Sequence, residues 1–214
     1  MKKALIVYGG WEGHDPKGLA SLFEKMLQNE NFIVTKSNTL DSFLNDLSVY
    51  DLIIPIWTMG KITNEMCQNV LNAVANGTGI AGCHGGMCDA FRENTDWQFM
   101  TGAQWVAHPF NTITYKVNVT DKDSPLTTGI NDFTVTSEQY YIHVDPAIKV
   151  YATTIFDRDD HQYSSNGKVT VPVVYTKYWG KGKVYYNALG HDRHVFDIPE
   201  VYELMRRGFL YATR

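Results

Sequence analysis

Short apolar runs alternate with amphipathic segments through the first half of the chain, and this alternation limits the fold more than any other feature. Residues 4–8 form one continuous apolar run, which Gly9 and Gly10 end. A run that is apolar on both faces is typical of a buried strand in a parallel sheet. Asp15 and Pro16 then have the order of a helix N-cap and a proline in the first helical turn. We therefore predict a strand followed by a helix that packs on the sheet.

This strand–helix unit recurs along the chain up to about residue 92. Further strands are predicted at 32–36, 51–57 and 79–83, and further helices at 40–47, 63–75 and about 87–92. Strands and helices that alternate in this way predict a parallel, doubly wound sheet with helices on both faces. The crossover connections should be right-handed.

The second half of the chain is rich in strands instead. Strands are predicted at 112–119, 133–136, 139–144, 148–156, 172–178 and 183–189, with a polar loop at 157–168 and a final helix at 199–213. The turn at 179–182 joins the last two strands as an antiparallel hairpin. With no linker or repeat in the sequence, we expect one α/β domain over residues 1–214, with a mostly parallel sheet and an added antiparallel hairpin region.

Composition excludes several classes of function. The 214 residues carry a net charge of −4, without the basic surplus of a nucleic-acid binder. No apolar run approaches the ~18 residues that a membrane span needs, and the first apolar run is too short for a signal peptide. The three cysteines, Cys67, Cys83 and Cys88, cannot form a full disulfide framework and fit reduced thiols. We therefore expect a cytoplasmic protein that binds neither nucleic acid nor membrane.

The strongest local motif is the sequence Gly82-Cys83-His84-Gly85-Gly86, at a predicted strand-to-helix junction. Its spacing matches the nucleophile elbow, with histidine at the apex and glycines where a Cβ would collide with neighbouring backbone. Histidine at the apex suits a general base or a metal ligand. A catalytic Cys83 at the apex is an alternative reading, and a buried, hydrogen-bonded His84 in a glycine-rich turn is another.

Five further regions carry candidate residues. His191 and Asp192 follow the predicted strand 183–189, and Trp11 and His14 follow the first strand. Glu138 and Tyr140 lie in an aromatic segment, where a carboxylate either occupies a functional site or caps a strand in water. Trp57 and Trp179 are candidate aromatic platforms for a sugar ring, although a lone tryptophan is more often part of the core.

One geometric expectation joins these candidates. His14, His84 and His191 each follow a predicted strand, so their imidazoles should meet at the carboxyl edge of the sheet. Imidazoles together with the Glu138 carboxylate suit a divalent metal such as zinc. We expect His84, His191 and Glu138 to be the catalytic residues and the metal ligands, and His14, Trp11, Trp57, Tyr140, Trp179 and Asp192 to bind substrate.

Several segments together resemble one known family. They are Ala4 to Gly10 with His14, Gly79 to Gly86, His108-Pro109, residues 133–141 and the block from Pro172 to Ala212. This ordered set is similar to the ThuA-like (trehalose utilisation) family within the class I glutamine amidotransferase-like superfold. The resemblance implies a flavodoxin-like fold and a role in carbohydrate metabolism. In amidotransferases of this superfold the elbow carries a catalytic cysteine, and His84 at that position argues against glutaminase chemistry.

The resemblance also bears on the acidic region. It implies an acidic residue and a tyrosine near residues 138–140, which Glu138 and Tyr140 match. An Asp–Glu pair is common there in the family, whereas this chain has Ser137 before Glu138.

Three hypotheses of function follow. The first is an enzyme that acts on a sugar or keto-sugar by histidine-based acid/base chemistry, with or without a metal. The second is a non-catalytic sugar-binding or subunit-interaction module on the same scaffold, and the third is a cysteine hydrolase that uses Cys83. The expected partner is a small sugar, and self-association into a homo-oligomer is left open.

Overall fold

A nine-stranded mixed sheet lies at the centre of the computed structural model, which describes residues 1–214. The strands are β1 Lys3–Gly10, β2 Ile33–Ser37, β3 Leu52–Thr58, β4 Gly79–Cys83, β5 Ala103–Ala107, β6 Thr112–Val119, β7 Phe133–Glu138, β8 Tyr141–Val144, β9 Lys149–Phe156, β10 Val169–Trp179 and β11 Gly182–Asn187. Their order is β2-β1-β3-β4-β11-β10-β9-β6-β7, and β5 pairs with β8 in a separate two-stranded sheet.

The large sheet has a parallel part and an antiparallel part. Strands β2, β1, β3, β4 and β11 run parallel to their neighbours. Strands β10, β9, β6 and β7 then extend the sheet in antiparallel pairs, and a tight turn joins β10 to β11. The carboxyl ends of β1, β4 and β11 therefore lie at one edge of the sheet.

Helices cover both faces of the sheet. They are α1 Pro16–Asn29, α2 Asn64–Ala75, α3 Gly85–Cys88, α4 Thr95–Thr101 and α5 Pro199–Ala212. Consecutive strand residues point to opposite faces. On β11, the Tyr185 hydroxyl donates to the Leu204 carbonyl of α5, whereas the Tyr186 hydroxyl contacts Cys88 of α3. Thus α5 and α3 lie on opposite faces.

Some elements differ from the sequence prediction. The helix expected at 40–47 consists of two 3-10 turns, Leu40–Leu44 and Leu47–Val49, because Asn45 and Asp46 interrupt it. The helix expected at 87–92 is the single turn α3. Sequence analysis also missed α4 and β5, although Asn94 caps the first turn of α4 and Gly102 ends that helix in the left-handed conformation.

The core is formed by both tyrosines of β11 together with aliphatic residues of the parallel strands. Phe23 of α1 and Phe209 of α5 pack edge to face, 5.0 Å apart, and join these two helices over one face. None of the five helices combines the length and the apolar character that crossing a bilayer requires.

Gly208 of α5 offers a direct test of this packing. A Cβ at this position would overlap the fully buried ring of Tyr185, whose hydroxyl is held by Leu204. Alanine gains about 1 kcal/mol over glycine in helix propensity, but overpacking a core costs about 1–3 kcal/mol. We therefore predict that Gly208→Ala lowers the free energy of unfolding by up to about 2 kcal/mol in urea titrations, because the clash with Tyr185 outweighs the gain in helix propensity. A more stable variant would contradict this packing.

Candidate active site

His84 occupies the apex of a sharp turn between β4 and α3. Its φ of 48° and ψ of −140° lie outside the ordinary regions for a residue with a side chain. The glycines on either side of the apex make the turn feasible. A Cβ on Gly85 would meet the His14 ring at 2.7 Å, and one on Gly86 would meet the Ile56 backbone at 3.0 Å. The elbow therefore places His84, rather than Cys83, at the apex.

The hydrogen bonds of His84 fix its ring. Nδ1 lies 2.8 Å from the Ala188 carbonyl oxygen, which can only accept, so Nδ1 carries a proton. Burial lowers the pKa of His84 to about 4, against the opposing hydrogen bond with Glu138, so the ring is neutral near pH 7. Nε2 therefore directs a lone pair at the Glu138 Oε2 atom, 3.1 Å away. Two electron-rich atoms at this distance call for a proton or a cation between them.

Glu138 is the centre on which three imidazoles converge. Its Oε2 lies 3.1 Å from His84 Nε2, 3.3 Å from His191 Nδ1 and 3.7 Å from His14 Nε2. Burial alone would raise the pKa of the carboxyl, but the close imidazoles of His14, His191 and His84 outweigh it and hold the pKa far below its usual range. The carboxyl is therefore ionised although it is buried.

The sheet must curve strongly to form this contact. Glu138 ends β7, which is five strands away from β4 in the sheet order. At about 4.8 Å per strand, a flat sheet would separate these strands by about 24 Å. The 3.1 Å contact between Glu138 and His84 shows that the antiparallel strands bend back over the carboxyl edge.

The other two histidines are held by their local structure. His14 lies in a 3-10 turn after β1, and its Nδ1 is 2.9 Å from the Thr58 hydroxyl. His191 follows Gly190, whose φ of 111° permits the turn after β11. The nearby Glu138 carboxylate raises the pKa of His191, against the opposing effect of burial. Nδ1 of His191 is buried and has no hydrogen bond of acceptable geometry.

We call His14, His84, Glu138 and His191 the histidine–glutamate cluster. Their ligand atoms all lie within 4.8 Å of one another. Ligands about 2.0–2.1 Å from a tetrahedral zinc ion are about 3.3 Å apart, which matches the contacts of Glu138 with His84 and His191. Three imidazoles and one carboxylate, with one orphaned buried nitrogen, fit a divalent metal such as zinc.

A small cavity of about 100 Å³ opens beside this cluster. It is lined by Trp11, His14, Thr58, Met59, Asp89, Arg92, Trp105, His108, Glu138 and Tyr140. We call it the aromatic cavity. The ring of Tyr140 stacks on His84 at 3.8 Å, and Trp11 lies edge to face with His14 at 4.7 Å.

His108 is the main residue of this region to which sequence analysis gave no role. Its Nε2 lies 3.7 Å from Oε1 of Glu138, the oxygen that faces away from the other three histidines. The side chain of His108 is 29% exposed, whereas that of His84 is 1% exposed. The chain order gives no signal for it, because His108 follows β5, a strand that sequence analysis missed.

The remaining predicted binding residues lie elsewhere. Trp57 packs against Gly9 and Gly60 beneath the loops and does not line the aromatic cavity. Trp179 ends β10, where its indole donates to the Leu71 carbonyl, and thus lies at the opposite edge of the sheet. Asp192 accepts from the His194 amide and lines an open groove beside His191.

The surroundings of Cys83 bear on the alternative hypothesis, in which this cysteine is the nucleophile. It is 2% exposed, and burial raises the pKa of its thiol to about 12. At pH 8 only about one molecule in ten thousand would carry the reactive thiolate. We predict that iodoacetamide leaves Cys83 unmodified in the native protein and alkylates it after denaturation, as read by peptide mass spectrometry. Rapid, selective alkylation of native Cys83 would contradict this.

Comparison with known proteins identifies the family of the chain and agrees with its fold. The family model ThuA, described as "Trehalose utilisation", matches residues 3–212. A putative ThuA-like protein from Parabacteroides merdae is 18% identical with a TM-score of 0.78, over 99% of this chain and 89% of the other. A second putative ThuA-like protein, from Bacteroides uniformis, is 17% identical with a TM-score of 0.76, over 99% of this chain and 91% of the other.

A cytoplasmic protein from Salmonella typhimurium LT2 is 15% identical with a TM-score of 0.65, over 99% of this chain and all of the other. At these identities the three solved structures establish the fold alone. No curated protein matches significantly. Because the family model covers nearly the whole sequence, the chain belongs to the ThuA family of trehalose utilisation.

Proposed function

We propose that this protein is an enzyme of carbohydrate metabolism that acts on a sugar or keto-sugar by metal-assisted acid/base chemistry. The observation that carries the proposal is the convergence of three imidazole nitrogens on one oxygen of Glu138. A buried carboxylate that faces the unprotonated Nε2 of His84 is costly unless a proton or a cation lies between them. The family description, trehalose utilisation, supports a sugar as the substrate.

The residues divide into two groups in this proposal. His14, His84, His191 and Glu138 would hold a divalent ion such as zinc, whose positive charge would stabilise negative charge that develops on a nearby substrate oxygen. The lone pairs of these four side chains are then used to bind the ion. His108 faces the same carboxylate from the aromatic cavity and keeps a free imidazole. We assign proton transfer at the substrate to His108 and placement of the sugar to Trp11 and Tyr140.

The two other hypotheses have less support. A glutaminase or a cysteine hydrolase would need an accessible thiolate, whereas Cys83 is buried with a raised pKa. A non-catalytic sugar-binding module would not need a cluster of ionisable groups beside the cavity. We also propose a cytoplasmic location, in keeping with the three unpaired, buried cysteines.

The experiment combines elemental analysis with a substrate screen. We expect purified wild-type protein to contain about one equivalent of a divalent metal, as four protein ligands imply, and to convert at least one neutral sugar or keto-sugar. His84→Asn, which keeps a polar side chain at the strained apex, should lose the metal and lower turnover at least 100-fold. Thermal unfolding would verify that the variant is folded.

His161→Ala is the matched control, because His161 is an exposed histidine that caps a 3-10 turn and belongs neither to the cluster nor to the lining of the aromatic cavity. It should keep both the metal and the activity. Full metal content and activity in His84→Asn would overturn the proposal. Wild-type protein that binds sugars stoichiometrically without forming product would favour the non-catalytic module instead.

A further inference from the structure

Thr58, the last residue of β3, holds the loop that carries His14 at two points. Its carbonyl oxygen accepts from the Trp11 amide at 3.0 Å, and its hydroxyl oxygen lies 2.9 Å from Nδ1 of His14. Thr58 is 3% exposed and His14 is 5% exposed, so the contact is shielded from water. The hydroxyl contact is the one hydrogen bond that the His14 ring makes with the rest of the protein. Thr58 is therefore placed to fix the direction of this ring.

Glycines allow Thr58 and His14 to approach their neighbours closely. Gly10 pairs with Thr58 across β1 and β3, and a Cβ on Gly10 would collide with the Thr58 carbonyl oxygen. A Cβ on Gly85 would lie 2.8 Å from Nδ1 of His14 and 3.0 Å from Cγ2 of Thr58. The two side chains thus pack against the backbone just after the His84 apex, which leaves the His14 ring little room to turn.

The position of the proton on the His14 ring decides whether the ring can bind an ion. Nε2 points into the histidine–glutamate cluster, 3.7 Å from Glu138, so this nitrogen must offer its lone pair to the ion. The single ring proton of a neutral imidazole then lies on Nδ1, which needs an acceptor. The Thr58 hydroxyl has lone pairs that can accept it. Without this hydroxyl, a buried N–H would be unpaired in the ion-bound state.

His84 has an equivalent support from a different chemical group. Its Nδ1 donates to the Ala188 carbonyl oxygen at 2.8 Å. Outer hydrogen bonds of this kind orient the histidines of metal sites, and their loss typically lowers metal affinity about 10–100-fold. A main-chain carbonyl cannot be removed by a side-chain substitution, whereas the Thr58 hydroxyl can. The contribution of such a contact can therefore be measured at His14.

We propose that Thr58 is a positioning residue of the metal site, whose hydroxyl accepts the Nδ1 proton of His14 and thereby directs Nε2 at the ion. This inference rests on the proposed function, because it concerns the same cluster, and it adds a residue outside the four ligands. Thr58 also lines the aromatic cavity, but it acts through His14 rather than on the substrate.

The test measures the zinc affinity of purified, metal-free protein by competition with a chromophoric chelator. Thr58→Val keeps the shape of the side chain and removes the acceptor, so it should weaken zinc binding about 10–100-fold. Thr58→Ser keeps the hydroxyl and should bind zinc as the wild type does. Gly85→Ala displaces the His14 ring and should weaken zinc binding about tenfold or more. This variant keeps the test decisive if Thr58→Val fails to fold.

Thr176→Val is the matched control, because Thr176 is also a threonine of 3% exposure and its hydroxyl contacts Tyr151 outside the cluster. It should leave the zinc affinity unchanged. In His14→Ala protein, which keeps the other three ligands, Thr58→Val should have no further effect on zinc affinity, because the two residues act through one contact. A merely structural role of Thr58 would give the same effect in both backgrounds.

Wild-type zinc affinity in both Thr58→Val and Gly85→Ala would overturn the inference, and so would an equal effect of Thr58→Val with and without His14. In either case, zinc binding and sugar turnover by the wild type would still support the proposed function. A wild-type protein that binds no zinc would instead remove the metal from the proposed function, and this inference with it. The zinc affinity of the wild type therefore distinguishes the two failures.

Discussion

Burial of the ionised Glu138 carboxylate is the constraint on which the arrangement of this molecule depends. A carboxylate removed from water is costly unless charges or hydrogen bonds compensate it. Here the compensation comes from imidazoles that follow β1, β4 and β11, three strands that end at one edge of the parallel sheet. The antiparallel strands must curve over this edge to deliver Glu138. The site can therefore form only because the sheet curves.

The elbow at His84 contributes the second constraint. Its left-handed backbone costs on the order of 1–3 kcal/mol and persists only where the surroundings hold it. Two contacts hold it here, the His84 amide on the Asn187 carbonyl at 2.7 Å and the His84 ring on the Ala188 carbonyl at 2.8 Å. Both acceptors lie at the end of β11, so the apex is fixed by the strand that also carries His191. A rigid apex of this kind suits a metal ligand or a general base, because both roles need a ring nitrogen that points in a fixed direction.

The sequence predicted the parts of the fold and site that follow from local pattern, and it could not supply those that depend on long-range geometry. Strand–helix alternation located β1 to β4, and strand ends located His14, His84 and His191. The curvature that brings in Glu138 depends on pairings such as β6 with β9, which no local pattern encodes. His108 and Arg92 were given no role because the two-stranded sheet beside them was not foreseen. Trp179 comes before β11, so its position at the far edge was implicit in the chain order.

The site consists of two neighbouring parts. The histidine–glutamate cluster concentrates electron-rich ligand atoms within 4.8 Å, and the aromatic cavity opens beside it. The central claim is that the four cluster residues bind one ion together. X-ray absorption spectroscopy at the zinc edge of zinc-loaded protein tests it most directly. We expect three imidazole nitrogens and one carboxylate oxygen about 2.0 Å from the metal, whereas sulfur scattering or fewer than three imidazoles would contradict the claim.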